Sequence, residues 1–374
     1  MRISLLTPDL LPVLAGISVQ SEHLARCLVE RGNEVRVVAF TPGETCDTAE
    51  HDARYARAYG VRIRRVARMQ KWNARTVATI WSAVRWADVV SAHGHTLLTD
   101  LGYFLSRAAR RRGGPTPFCV TLYGGEATFY RRRRGFDVPR YVYTHAEAVT
   151  AISRYIGDLL HSKGIPIDVR TIYAGIDVAR FRAARKPHSE RSPAILIVKR
   201  LNARSELQDL IQALAALAQD FPTLRLHVVG EGDEKLRYEA LVRALGLTDR
   251  VSFLGWIPNE ALPAHLADAA LFCLPSSREE LGIPLIEAAA AGTPAVATDV
   301  GGPTELIHAG TFGLLCRPND PAGLAASIRS ILTDDSQWET FSRNGMVYAE
   351  RFDWASVAGK YDALFRSLVE ERSG

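Results

Sequence analysis

The strongest constraint on the fold of this 374-residue chain is a regular alternation of two patterns. Short apolar runs recur, each followed by a stretch of helical periodicity. In the first half, Ile3–Leu6, Val35–Phe40, Val61–Val66, Val89–Ala92, Phe118–Leu122 and Ala148–Ala151 read as strands. Val19–Arg31, Ala74–Trp86 and Thr96–Arg112 read as helices, with Gly32 just past the first. Thr41 to about Asp52 reads as a polar loop. Continuous apolar strands alternating with helices imply right-handed crossovers and a parallel sheet covered on both faces.

The stretch from Phe181 to Pro193 breaks this pattern. It is polar and punctuated by Pro187 and Pro193, a linker composition. The alternation then restarts. Ala194–Val198, Leu224–Val229, Val251–Leu254, Ala270–Leu274, Pro294–Ala297 and Leu314–Cys316 read as strands, and Leu207–Gln219 and Lys235–Leu245 as helices. The expected architecture is two doubly wound, Rossmann-like α/β domains facing each other across a cleft. They span residues 1–182 and 194–350, joined by a linker at 183–193. Residues 351–374 form a last helix expected to return to the first domain. It carries Trp354, Val357, Tyr361, Leu364 and Leu368 on roughly one face.

Composition narrows the class. With 47% apolar and 23% charged residues, the chain does not have the low-hydrophobicity, high-charge signature of disorder. The longest early apolar run, Leu10–Val19, is broken by Pro12 and Ser18, whereas a membrane span needs about 20 apolar residues. Met1-Arg2 leads straight into a strand without a cleavage site, so no signal peptide is expected and a cytoplasmic location is. Cys27, Cys46, Cys119, Cys273 and Cys316 show no metal-like or redox-like spacing and read as buried free thiols. The net charge of +5 is unevenly spread. Residues 1–185 carry 28 Lys/Arg against 16 Asp/Glu, a charge of +12, and residues 186–374 carry 18 against 25, a charge of −7. The two halves therefore present different surfaces.

Ligands of open α/β sheets bind beyond the carboxyl ends of the strands, so the strand-to-helix loops are the place to look. Four are informative. Gly16, after the first strand, can let a helix N-terminus approach an anion, although the segment is not a G-x-G-x-x-G fingerprint. Arg200, in Val198-Lys199-Arg200-Leu201, is a strand-end cation suited to phosphate. The run Glu279-Glu280-Leu281-Gly282-Ile283-Pro284-Leu285-Ile286-Glu287 places Pro284 in a first helical turn and the amides of Gly282 and Ile283 at its positive end. Glu279 and Glu287 can accept hydrogen bonds from a sugar and a ribose, and a hydrolase dyad is the rival chemistry. Asp299-Val300-Gly301-Gly302-Pro303 opens another helix after a strand.

Taken in order, these constellations resemble one family, the retaining nucleotide-sugar glycosyltransferases of GT-B fold, family four (glycosyl transferases group 1). The resemblance runs from Arg2 to about Glu350. It is most specific between Ser276 and Leu315, in Glu279-x7-Glu287, Ala291-Gly292-Thr293-Pro294, Asp299-Val300-Gly301-Gly302 and Gly310-Thr311-Phe312-Gly313-Leu314. Leu245-Gly246-Leu247, Val251-Ser252-Phe253-Leu254-Gly255 and Gly175-Ile176-Asp177 add to it. The resemblance implies that Glu279 contacts the donor sugar and Glu287 the ribose. It implies that Arg200 binds the diphosphate, that the Gly282–Pro284 backbone cradles it, and that Gly16 approaches the phosphate. The base would lie near Gly255 and Trp256. A nucleotide-diphosphate sugar is the implied co-substrate, with no bound cofactor or metal.

The chain departs from the family in three places. The diphosphate lysine, five residues after the arginine, is Ser205, and Arg204 is the adjacent cation that could replace it. The strand-end histidine is Tyr123, in Thr121-Leu122-Tyr123-Gly124-Gly125-Glu126, whose phenol titrates near 10 rather than near 6.5. The first residue of the usual glycine pair is Ala15. His93 and His95 invite a metal reading, but no third ligand accompanies them, and with Glu126 they are expected to line the acceptor side.

These features lead to an expected reaction. A sugar passes with retention from a nucleotide-diphosphate sugar to a hydroxyl on a glycan, lipid or small-molecule acceptor. Cleft closure aligns the two, Arg200, Glu279 and Tyr123 act at the reacting centre, and no protein nucleophile is assigned. Two alternatives stay open: a catalytically degenerate nucleotide- or glycan-binding protein or partner subunit, and a nucleotide-sugar epimerase. Nucleic acid is not an expected partner, because stacking aromatics and reading motifs are missing. An anionic membrane surface is. Arg62, Arg64, Arg65, Arg68, Lys71 and Arg75 cluster with Val61, Val66, Met69 and Trp72, and Arg131–Arg134 follow Phe129 and Tyr130.

Overall fold

The computed structural model describes residues 1–12, 16–42, 48–67, 73–111, 114–130, 136–203 and 205–373. The chain divides into two compact units. One comprises Met1–Gly175 with Trp354–Gly374, the other Ile176–Asp353.

The first unit is built on a seven-stranded parallel sheet in the order Arg62–Val66, Glu34–Phe40, Arg2–Thr7, Val89–His93, Phe118–Leu122, Ala148–Ala151, Val169–Thr171. Val89–His93, Phe118–Leu122 and Ala148–Ala151 are buried along their whole length, which is why they read as largely apolar runs without an exposed alternation. The last helix, Trp354–Ser373, packs in this unit. Trp354, Val357, Ala358, Tyr361, Leu364, Phe365 and Leu368 are buried with Ile3, Leu5, Leu24 and Val35 in one core. Gly175 makes room for it, since a Cβ there would lie 2.4 Å from the Trp354 ring.

The second unit holds a six-stranded parallel sheet in the order Val251–Gly255, Arg225–Val229, Ser192–Val198, Ala269–Leu274, Ala295–Thr298, Gly313–Cys316. Its core gathers Ile195, Ile197, Leu210, Leu214, Val228, Leu271 and Trp338, whose indole N–H donates to the Ala270 carbonyl at 2.7 Å. In each sheet the strand order reverses beside the unit's first strand, and an open α/β sheet offers its ligand crevice at such a switch point.

Three expectations need correction. Thr48–Tyr59 is a helix, although Thr41 to Asp52 reads as loop; Tyr55 alone of it is buried, so its sequence has no apolar face to betray it. The helix expected over Thr96–Arg112 ends at Ala108, because Arg110–Arg111 pair antiparallel with Gly114–Pro115. Residues 183–193 are not a linker. Val178–Ala183 is a helix with Phe181 buried, and Arg191 is buried in the second unit. Its guanidinium donates to the carbonyls of Lys186, Leu266, Ala269, Ala291 and Gly292 and to Thr293 Oγ1. The chain divides instead at Gly175/Ile176 and Asp353/Trp354.

Candidate functional site

At the switch point of the second sheet, Ser192–Val198 lies beside Ala269–Leu274, and the loops that follow these strands meet. Lys199 Nζ is 2.8 Å from Glu279 Oε2 and also donates to Ser276 Oγ. Arg200 is exposed and makes no ion pair with a described residue. The backbone of Lys199–Leu201 is clasped by the neighbouring loop: Lys199 N donates to the Val229 carbonyl and Leu201 N to the Glu231 carbonyl, each at 3.0 Å. Gly230 and Gly232 are required for that approach. A Cβ on either would sit 2.0 Å from the carbonyl oxygen of Lys199 or Leu201. Beyond them, Gly230 N donates to the Gly255 carbonyl at 2.8 Å, and the exposed Trp256 follows in sequence.

Glu279 is positioned from two sides. Lys199 holds its carboxylate, and Gly302 N donates to its carbonyl at 3.0 Å. Gly302 opens the helix Gly301–Gly310, and a Cβ on it would fall 2.3 Å from Leu281 Cα. The loops at 279–282 and 299–303, distinct in sequence, thus pack as one body. The helix Ile283–Ala290 begins at Gly282, in the left-handed region at φ 87°, with Pro284 in its first turn and no side-chain cap. The amides of Gly282 and Ile283 make no hydrogen bond with a described residue. A helix of this length with an uncapped start is a site for negative charge. Glu287 lies on the same helix. Burial pushes its carboxyl up to about 7 against the opposing charge of Arg180.

Ser205 is buried, its hydroxyl 2.8 Å from Tyr238 Oη and donating to the Asn202 carbonyl at 2.8 Å. This corrects its inclusion among donor-binding residues, since its one side-chain donor faces the core. Arg204 and Ala15 lie outside the described residues, as do Arg68–Trp72 and Arg131–Arg134.

In the first unit, Gly16 starts the helix Gly16–Glu30, exposed and with open space where a Cβ would be. Tyr123 and His95 follow the two adjacent strands Phe118–Leu122 and Val89–His93. Glu126 ties their loops together: Oε2 accepts from Tyr123 N at 3.2 Å and Gly124 N at 2.9 Å, and Oε1 accepts from His95 N at 3.2 Å. Burial raises the Glu126 carboxyl despite these amides. Its oxygens serve the backbone, so it positions the loops. His93, expected to line the acceptor side, is fully buried. Its Nδ1 is 2.8 Å from Tyr123 Oη and its Nε2 3.3 Å from Ser91 Oγ. Burial lowers it to about 4, so near neutral pH it is an uncharged partner behind Tyr123. Burial also raises the Tyr123 phenol well above 10, leaving it a neutral hydrogen-bonding group. His95 Nε2 lies 3.0 Å from Asp100 Oδ1, and its ring stands edge-on to Tyr143. The two histidine rings therefore serve different neighbours. Among the described residues, no group of three or more His, Cys, Asp or Glu is placed to hold a metal ion.

Sequence reasoning missed Lys199 and the locking role of Gly302. Lys199 stands next to Arg200 at a strand end, and that adjacency was the available signal. Its partner Glu279 is eighty residues away and arrives only through strand pairing.

Two adjoining family models match the chain: Glycosyltransferase Family 4 over residues 14–180 and Glycosyl transferases group 1 over residues 180–347. The chain belongs to the group 1 glycosyltransferases of GT-B fold. It is 29% identical to a glycogen synthase of Mycobacterium tuberculosis, over 96% of this chain and 92% of the relative. It is also 29% identical to a 2-deoxystreptamine glucosyltransferase of Streptomyces kanamyceticus, over 95% of this chain and all of the relative. Among solved structures, HepE of Anabaena in complex with UDP superimposes with a TM-score of 0.81 at 21% identity, over 98% of this chain and all of that one. A sucrose-phosphate synthase of Thermosynechococcus elongatus gives 0.74 at 22% identity, over 99% of both chains. These likenesses at low identity establish the fold. Among the described residues, no helix is long and apolar enough to cross a membrane.

Proposed function

We propose that the protein moves a sugar from a nucleotide-diphosphate sugar, held by the second unit, to an acceptor hydroxyl, with retention at the anomeric carbon. One observation carries this reading. Arg200, without an ion-pair partner among the described residues, and the uncapped helix start at Gly282–Ile283 belong to the loops that hold the fixed Lys199–Glu279 pair. A diphosphate supplies the negative charge that both of the former lack, and a sugar supplies the hydroxyls that Glu279 can accept. The relatives' names agree in kind, and HepE has been solved with UDP-glucose as well as UDP.

In this reading the acceptor oxygen bonds to the anomeric carbon as the bond from that carbon to the phosphate oxygen breaks. The acceptor proton passes to the departing phosphate on the same face. Arg200 and the amides of Gly282 and Ile283 stabilise the charge that develops there. Glu279, held by Lys199, orients the sugar. Glu287 accepts from the ribose, and Gly255 and Trp256 border the base. Gly16 and Tyr123 are the first unit's own candidates for substrate contact, with Glu126 and His93 setting the Tyr123 position and His95 following the adjacent strand.

A screen of purified protein against UDP-, GDP- and ADP-sugars, followed by transfer assays on Glu279→Ala and Arg200→Ala, tests this. Loss of one such charge-stabilising contact is expected to cost about 10²–10³ in turnover. Unchanged turnover in both variants refutes the site. The departures at Ser205 and Tyr123 favour a second reading, a nucleotide- or glycan-binding protein without turnover, which nucleotide-sugar transfer or hydrolysis by the chain alone excludes.

A further inference from the structure

A second set of cations lies on the sheet face of the first unit, apart from the strand-end loops. Arg62 and Arg64 alternate along the edge strand Arg62–Val66 and so share one face. The neighbouring strand pairs Arg36 with Arg62 and Val38 with Arg64. The helix Ala74–Trp86 covers this face with Arg75 and the small residues Ala78, Thr79, Ser82 and Ala83. The small side chains leave a cavity of about 450 Å³, into whose lining these four arginines enter. Arg36 is braced from behind, its guanidinium carbon 3.9 Å from the centre of the Trp86 ring.

Several other arginines of the unit are neutralised by a carboxylate. Arg2 pairs with Asp88, Arg107 with Glu147, and Arg65, which also borders the cavity, is forked onto Asp52 and bonded to the Leu11 carbonyl. Arg36, Arg62, Arg64 and Arg75 make no ion pair with a described carboxylate. Like charges in register on adjacent strands destabilise a sheet. The basicity of Arg36 is lowered first by burial and then by Arg62, with Glu34 opposing and Arg64 adding a smaller part.

Positive charge on an edge strand also serves to block sheet extension. That accounts for Arg62 and Arg64, but not for Arg36 on an inner strand, for Arg75 on the helix, or for the hollow between them. Insertion into a bilayer fits poorly as well. Val61 and Val66, expected to supply the apolar part of a membrane patch, are buried in the core. What remains is a concave array of planar forks, matched to a tetrahedral oxyanion.

We propose that Arg36, Arg62, Arg64 and Arg75 form a binding site for a phosphate-bearing ligand, separate from the donor loops of the second unit. A phosphomonoester or diphosphate has the charge to relieve the repulsion and the oxygens to engage several forks. It can arrive as a free metabolite or as a lipid headgroup.

The test uses the full chain and two probes, inorganic pyrophosphate by calorimetry and phosphatidylcholine vesicles with or without about 30 mol% phosphatidic acid by sedimentation. Four proteins are compared: wild type, Arg62→Ser/Arg64→Ser, Arg62→Lys/Arg64→Lys, and Arg200→Ala. Arg62 and Arg64 are exposed, so their replacement leaves the core untouched. The expected result is a loss of about tenfold or more in affinity for one probe in the serine variant, retained binding in Arg200→Ala, and an intermediate loss in the lysine variant. Loss for pyrophosphate identifies a free ligand, and loss for vesicles alone identifies a headgroup. The proposal is overturned if wild type binds neither probe, or if the serine variant binds both as wild type does. Because Arg200→Ala impairs only the donor loops, failure of this site and failure of the proposed transfer reaction are read separately.

Discussion

Replacing Glu287 by glutamine should stabilise the protein at high pH and weaken its hold on the donor. Burial raises the Glu287 carboxyl from its ordinary 4.5 to about 7, so the folded state binds this proton more tightly than the unfolded chain does. Below pH 4.5 the group is protonated in both states and favours neither. As pH rises from 4.5 to 7 the unfolded chain releases the proton first, and stability falls. Above 7 the full cost of burying the charge is present. At about 1.4 kcal/mol for each pH unit, the span comes to ~3 kcal/mol. The side chain is not wholly shielded from solvent, so an advantage of ~1–3 kcal/mol is the reasonable expectation for the neutral, near-isosteric amide at pH 8. Urea unfolding at pH 4.5, 6 and 8 should show the two proteins equal at the lowest pH and diverging upward. On the proposed function, the same variant should raise KM for the nucleotide sugar by about tenfold, as a charge-assisted hydrogen bond to the ribose becomes a neutral one. A glutamine variant no more stable than wild type at pH 8, or equally more stable at pH 4.5, would refute the argument from burial.

Two further substitutions probe how the loops are held. Gly302→Ala places a Cβ against the backbone of Glu280 and Leu281, which can yield only by moving Glu279. A loss of ~1–3 kcal/mol is expected, together with a fall in kcat, and wild-type values of both Tm and kcat would show that the two loops are not locked. Arg191→Met removes the side-chain donor to the carbonyls of Ala269, Ala291 and Gly292, while Leu266 keeps the Thr293 hydroxyl. Stranding several buried acceptors should cost ~3 kcal/mol or more in denaturant unfolding, and a loss under ~1 kcal/mol would mean that water replaces the guanidinium.

Most strands were legible because a strand buried on both faces is a largely apolar run, and their limits move by only one or two residues; the short, half-exposed edge strand Val169–Thr171 was not. Ala74–Trp86 was legible to its ends, since Asn73 caps the first turn by accepting from Thr76 N. Thr48–Tyr59 was not, having one buried residue and hence no stripe. The stretch around Arg191 misled because composition records a charge and not its partners, and here the partners are carbonyls some eighty to a hundred residues away. The site follows the same division. Glu279, Glu287 and the uncapped helix start lie within one local run and could be read from it. Lys199 acquires its role from a neighbour brought in by strand order. His93 reads as a lining residue, but Tyr361 of the last helix lies tilted against its ring, 6.2 Å between centroids, and helps to bury it. Ser205 looks like a lost cation until Tyr238 is seen to claim its hydroxyl.

Compensation, rather than net charge, separates structural cations from candidate ligands in both units. The basic first half suggests a surface for anions as a whole, yet Arg2, Arg65 and Arg107 are each spent on a carboxylate. The second half is acidic, yet it holds Arg200 without an ion pair among the described residues, beside Lys199, which is paired. A guanidinium already forked onto Asp or Glu has its geometry and charge committed, and a new anion must first displace that partner. One left uncompensated beside other cations raises the free energy of the empty protein, and an anion lowers it. Arg200 beside the Gly282–Ile283 amides in one unit, and Arg36, Arg62, Arg64 and Arg75 around their cavity in the other, combine that asymmetry with a setting that can receive an anion. It also predicts that both sites weaken as ionic strength rises, whereas the Lys199–Glu279 pair, partly shielded from solvent, responds less.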